Sequence, residues 1–268
     1  MAVIKKRFLD ITGTLQNITM YTRQDSDKVI VRMKGGPSRK LIDKSPNFEK
    51  LRNNNNEWKG CTMLARDIRS VMGEMKRLED YPVTGFLNAL AKKIQACDVE
   101  SEHGQRNLYL SRHKELIGGF SLSRKQVLES VLRVPVDSFI DREKAEAKVS
   151  IPSIDTKLYL YNYRSLPYFR IVIALGAVSD ILCGKESHYY QEDLWLENQQ
   201  TSTESDWLPT YGTVPAQDYT LALNLSPNYI IETTTLILCI GIEFGKMEIN
   251  GQVTPVKYTG CGKIVKVG

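Results

Sequence analysis

The sequence is poor in the residues that most often carry chemistry. It has three His, at 103, 113 and 188, and five Cys, at 61, 97, 183, 239 and 261. The Cys are odd in number, far apart and without a C-x-x-C pair, and no two His stand at ligand spacing, which excludes the common zinc frameworks and a disulfide scaffold. Free thiols in a reducing compartment are expected. Cys61 and Cys239 fall in apolar patterns, where Cys acts as a small hydrophobe. Long apolar runs are missing too: residues 171–178 and 236–242 are the longest uncharged ones, far short of a bilayer span, and residues 1–8 hold no signal-like apolar stretch. A cytoplasmic protein without a membrane partner is expected, in which the sequons at Asn17 and Asn224 have no role.

Catalytic patterns are equally scarce. Gly260-Cys-Gly-Lys263 lacks the first glycine of a phosphate-binding loop and carries Ile264 where that loop needs Ser or Thr. Gly118-Gly-Phe-Ser121 lacks the closing glycine of a nucleophile elbow. Asp137, Asp141 and Glu143 are interleaved with Arg142, Lys144 and Lys148, a solvated, mutually neutralised pattern. No catalytic residue, metal ligand or cofactor is expected, and an enzyme is not.

What the chain does have is polarity. Through residue 130 there are 24 Lys and Arg against 15 Asp and Glu, and beyond it 12 against 16, while ten of the thirteen Tyr lie beyond residue 150. Hydrophobic period changes at the same place. Residues 15–22 and 28–33 are rich in β-branched and aromatic residues on either side of a polar turn, so they read as a hairpin. Ser45-Pro46 is a helix start. Cys61, Leu64, Ile68, Val71, Met75 and Leu78 then recur at spacings of three and four, and Phe86, Leu87, Leu90, Ala91 and Ile94 repeat the pattern. The poor helix formers Asn53 to Asn56 suggest a break, and Ser123 is a candidate cap for a short helix through Val131.

After Pro135 the period is two. Residues 145–151, 158–163, 168–178, 219–225, 233–244, 253–258 and 263–267 read as strands, with Asn250-Gly251 as a hairpin turn. Strands without intervening helices imply an antiparallel β-sandwich. The expected fold is α+β, with a basic hairpin and helical region over 1–135 and the sandwich over 136–268. Residues 186–206 interrupt the sandwich with six acidic residues and no Lys or Arg.

Two surfaces are candidates for binding. Around the hairpin, Arg32, Lys34, Arg39 and Lys40 flank Gly35-Gly36, a basic turn able to approach phosphates of a nucleic acid. Tyr189, Tyr190, Trp195 and Trp207, in and beside the acidic stretch, have the chemistry of protein-interface anchors.

The residues Gly13-Thr14, Met20-Tyr21, Val29 to Arg32, Lys34-Gly-Gly-Pro-Ser38, Ile42, Ser45-Pro-Asn-Phe48 and Arg52-Asn53 with Asn55-Asn56-Glu57 resemble the opening of a family of uncharacterised bacterial proteins. The resemblance covers about the first sixty residues and implies no activity, cofactor or site residue. The leading functional reading is a non-enzymatic structural or assembly protein that self-associates or binds a protein partner. A nucleic-acid-binding protein and a carbohydrate- or peptide-binding sandwich are the alternatives.

Overall fold

A computed structural model describes residues 2–5, 12–22, 28–33, 35–184, 187, 189–191, 199–225 and 230–268. The fold is α+β, and the chain divides into two compact units, Met1–Arg52 and Asn53–Gly268, with the division inside the helix Glu49–Val71. The sequence had suggested a boundary at 135/136.

In the first unit the expected hairpin strands, Ile18–Thr22 and Lys28–Met33, pair antiparallel, and strands Ala2–Lys5 and Gly13–Leu15 extend them to a four-stranded sheet. Ser38 caps a short helix, Arg39–Lys44, by accepting the Leu41 N–H at 3.3 Å. Ser45, the expected cap, makes no side-chain cap bond; its carbonyl and that of Ile42 accept from Arg52 Nη1 at 2.8 and 2.7 Å.

The second unit is built on two long antiparallel strands, Tyr168–Ser179 and Thr234–Met247, paired from Thr234↔Ser179 to Gly245↔Tyr168. Gln200–Glu204 and Leu208–Pro209 add to the first, while Val253–Pro255 and Cys261–Val267 add to the second. The Asn250-Gly251 turn joins its strands as expected, with Gly251 at φ +80°, a conformation glycine adopts without strain.

Both faces of this sheet are covered. On one face Phe169, Ile171, Ile173, Leu175 and Ala177, with Leu236, Leu238, Ile240, Ile242 and Phe244, share a core with Ala147, Val149, Ile151 and Leu221. Those last four come from a three-stranded sheet of Asp137–Asp141, Glu146–Ile151 and Gln217–Ala222. This is the expected sandwich. On the other face Val172, Ala174, Val178, Ile237 and Cys239 pack with the predicted helical stripe, Cys61 to Leu78, and with Leu87, Ala91 and Ile94 of the helix Val83–Ala96. Residues 53–135 therefore share a core with the sheet, which is why no compact-unit boundary falls at 135/136.

Three local expectations fail for tertiary reasons. The Asn run does not break the helix, because Asn54 meets His103 at 2.9 Å and Asn56 donates to the Gly104 carbonyl at 2.8 Å. Residues 158–163 are not a strand: Asp155 caps a single helical turn, Thr156–Tyr159, by accepting the Lys157 N–H at 3.0 Å. The helix expected from Ser123 is only Leu128–Val131, and the Ser123 hydroxyl donates to Asp80 at 2.7 Å. No helix among the described residues is long and apolar enough to cross a membrane.

Candidate binding site

At the end of the sheet marked by the Gly245–Tyr168 pairing, the helix-side face turns from apolar to charged. Glu243 and Arg170 are cross-strand partners there, and the 3-10 turn Gly73–Leu78 brings Arg77 onto them. Glu243 accepts from Arg77 Nε and Arg170 Nη2, both at 2.7 Å, and Glu204 bridges the same two arginines from the neighbouring strand. Two carboxylates and two guanidiniums thus close a ring, with the Glu243 side chain only 4% exposed. Burial opposes the charge of Arg77, but the bonds and charges of Glu204 and Glu243 outweigh it and raise the pKa. The indole of Trp207 lies 4.5 Å from the Arg170 guanidinium and covers Gly245, where a Cβ would come within 2.6 Å of the ring.

Beside the ring a cleft of about 640 Å³ opens between residues 76–82 and the turn at 255–260. Its three carboxylates are occupied. Glu243 belongs to the ring. Glu79 holds Arg69 through two bonds of 3.0 and 2.9 Å. Asp80 accepts from the N–H groups of Arg124 and Lys125 and from Ser123; these bonds outweigh burial and lower its pKa. Arg77 is spent on Glu243, Glu204 and Glu74. The two remaining lining cations, Lys76 and Lys257, make no side-chain hydrogen bond or ion pair with any described residue.

Tyr258 forms the outer lip of the cleft. It is 61% exposed, and its φ of +61° lies in the left-handed region that a residue with a bulky side chain rarely occupies. Such a conformation costs about 1–3 kcal/mol and concentrates at functional sites. The Tyr163 hydroxyl donates to the Tyr258 carbonyl at 3.1 Å, connecting the lip to a second surface. Tyr159, Tyr161 and Tyr163 are exposed there around buried Leu160, with Arg133 over the Tyr161 ring and Arg164 over the Tyr163 ring, each 5.4 Å from the centroid.

The residues singled out in the sequence are distributed differently. Arg32 stands 5.5 Å over the Tyr21 ring, exposed Arg39 is 3.6 Å from Asp43, and Lys40 is exposed; Lys34 lies outside the described residues. Of the aromatic anchors, Tyr190 and Trp207 are committed inside the second unit: the Tyr190 hydroxyl donates to the Arg106 carbonyl at 2.7 Å and its ring packs over Gly60. Tyr189 is 65% exposed with the Lys59 ammonium 5.7 Å from its ring, and Trp195 lies outside the described residues. Part of the acidic stretch is ordinary sheet, since Gln200–Glu204 pairs with the long strand Tyr168–Ser179.

Sequence reading also missed Glu57, fully buried on the long helix. It accepts from Arg106 at 2.6 and 2.9 Å, from Lys92 at 2.7 Å and from the Gly104 N–H at 3.0 Å, fastening the helix pair to the loop after it. The Ser121 hydroxyl donates to the Ser123 carbonyl at 2.7 Å. Asp137 and Asp141 sit at opposite ends of one strand, and Asp141 pairs with Lys144. The described residues contain no group of three or more metal-ligating side chains. No protein-family model, no curated protein and no solved structure matches the chain.

Proposed function

We propose that the chain is a non-enzymatic assembly protein that associates with further copies of itself through the face carrying Tyr159, Tyr161 and Tyr163. The observation that supports this reading is the exposure of these three rings within five residues, each more than 40%, with Arg133 beside Tyr161 and Arg164 beside Tyr163. Tyr and Arg dominate interface energetics because each covers a large apolar area and still satisfies its polar end. The sequence of the same chain supplies opposite charge in residues 186–206, six acidic residues and no Lys or Arg, of which Glu204 is already held by Arg77 and Arg170. A contact between unlike surfaces is heterologous and grows into a ring or an open array. Charge would steer the encounter while the tyrosines supply buried area.

Sedimentation of the full chain over a range of concentrations, at low and high salt, tests this. Oligomers are expected at low salt. Replacing Tyr159, Tyr161 and Tyr163 together by Ser, or reversing the charges of Glu192, Asp193 and Glu197, is expected to return the protein to monomer. A chain that stays monomeric at high concentration in both salts would sink the proposal, as would oligomers indifferent to both sets of changes.

A further inference from the structure

We infer that the cleft between residues 76–82 and 255–260 binds a small anion carried on a planar ring, of the class of a nucleoside monophosphate, with Lys76 and Lys257 on the anionic group and Tyr258 against the ring. This site touches the tyrosine face through the Tyr163–Tyr258 hydrogen bond, but its test uses none of the same variants.

Three observations converge on it. The first is size: about 640 Å³ lies in the range of small-molecule sites, which run from roughly 300 to 1,000 Å³. The second is charge. By formal count the lining is neutral, with Lys76, Arg77 and Lys257 against Glu79, Asp80 and Glu243. Every lining carboxylate is nevertheless occupied from within the fold: Glu79 by Arg69, Asp80 by two backbone N–H groups and a hydroxyl, and Glu243 by two guanidiniums. Arg77 is likewise consumed. What the lining has left to offer a ligand is two lysines, one on the 3-10 turn and one on the 255–260 turn. Lysine serves phosphate as a point charge with three rotatable donors, so the pair suits a compact multivalent anion better than a single carboxylate.

The third observation is Tyr258. An exposed tyrosine held at φ +61° is unfavourable for folding, yet the fold keeps Tyr258 in that conformation among the cleft's lining residues, with the Tyr163 hydroxyl donating to its carbonyl. A ring in that position offers a stacking face to any planar group whose anion reaches the lysines, as aromatic side chains do for bases. The ionic ring of Arg77, Arg170, Glu204 and Glu243 fixes the turn beside Lys76, so that side of the cleft is preorganised.

Calorimetric titration of the full chain with AMP, inorganic phosphate and adenosine in parallel tests the inference. AMP is expected to bind most tightly, phosphate at least tenfold more weakly at the same site, and adenosine without measurable heat. Lys76→Ala together with Lys257→Ala is expected to weaken AMP at least tenfold while leaving the circular dichroism spectrum and the unfolding midpoint unchanged, since neither side chain has an internal partner. Tyr258→Gly is expected to raise the unfolding midpoint, because glycine accepts a positive φ, and yet to weaken AMP several-fold. Failure of AMP to bind at millimolar concentration overturns the inference, as does binding insensitive to the double lysine change. Adenosine equal to AMP would overturn the role of the lysines. Phosphate equal to AMP, or a Tyr258→Gly variant with unaltered affinity, would overturn the role of the ring.

Discussion

The two faces of the central sheet are made from the same two strands and yet are packed in opposite ways. Toward the three-stranded sheet the strands present Phe169, Ile171, Ile173, Leu175, Ile240, Ile242 and Phe244, large side chains that fill the space between two sheets, which stack about 10 Å apart. Toward the helices they present Val172, Ala174, Gly176, Cys239 and Gly241. A Cβ on Gly176 would come within 2.7 Å of Val71, and one on Gly241 within 2.5 Å of Leu78. The helical layer therefore lies almost on the backbone of the sheet, and its own side chains supply the volume. One face is filled by the sheet and the other by its neighbour, so a change of side-chain size has opposite consequences on the two sides.

The largest effect is expected on the sandwich side. Phe169 and Phe244 are register partners and both fully buried, and replacing either with Ala removes a ring from a core that cannot collapse around the gap. Each change is expected to lower the unfolding free energy by about 3–5 kcal/mol in urea denaturation. A loss near zero would mean the two sheets do not pack closely there.

On the helix side the strongest single anchor is charge. Burial alone would raise the Glu57 pKa, but its bonds to Arg106, Lys92 and the Gly104 N–H bring it from 4.5 to about 2. The depressed value in the folded state means that the unfolded chain binds more protons between those limits. The resulting stabilisation, on the order of 3 kcal/mol, is fully present above about pH 4.5 and is lost as the pH falls toward 2. Urea midpoints measured from pH 6 down to 2.5 are expected to drop over that window, and Glu57→Gln is expected to flatten the drop. An unchanged slope in the variant would assign the acid sensitivity to other carboxylates.

The smallest and sharpest contrast lies between neighbours. Gly241→Ala overpacks the helix side and is expected to cost about 1–3 kcal/mol, whereas Ile240→Val opens a small cavity on the other side and is expected to cost about 0.5–1.5 kcal/mol. Adding Leu78→Ala removes the closest of the new methyl's contacts and leaves those to the Cys261 carbonyl at 2.9 Å and Met75 at 3.0 Å, so the pair with Gly241→Ala is expected to destabilise less than the sum of the single changes. With Ile240→Val the effects are expected to add. Additivity in both pairs would remove the close-approach argument.

The sequence alone determined the α+β class, the hairpin, the buried helical stripe and most of the strands, because hydrophobic periods of 3.6 and 2 record which faces are buried regardless of what buries them. It also determined that Tyr159, Tyr161 and Tyr163 alternate around one apolar residue. Tertiary structure decided what covers each face, and so made residues 53–135 part of the sheet's core. It also carried the Asn run through the long helix by giving Asn54 and Asn56 partners about fifty residues away. The candidate site belongs wholly to this second category. Lys76 and Lys257 are ordinary lysines in the sequence, 181 positions apart. They become the uncommitted charges of one cleft only because Arg170 and the backbone at 124–125, remote in sequence from the carboxylates they meet, and Arg69, ten positions from Glu79, have occupied the acids around them. Which charges are spent and which remain depends on distances between distant segments, and hydrophobic patterning carries no information about them.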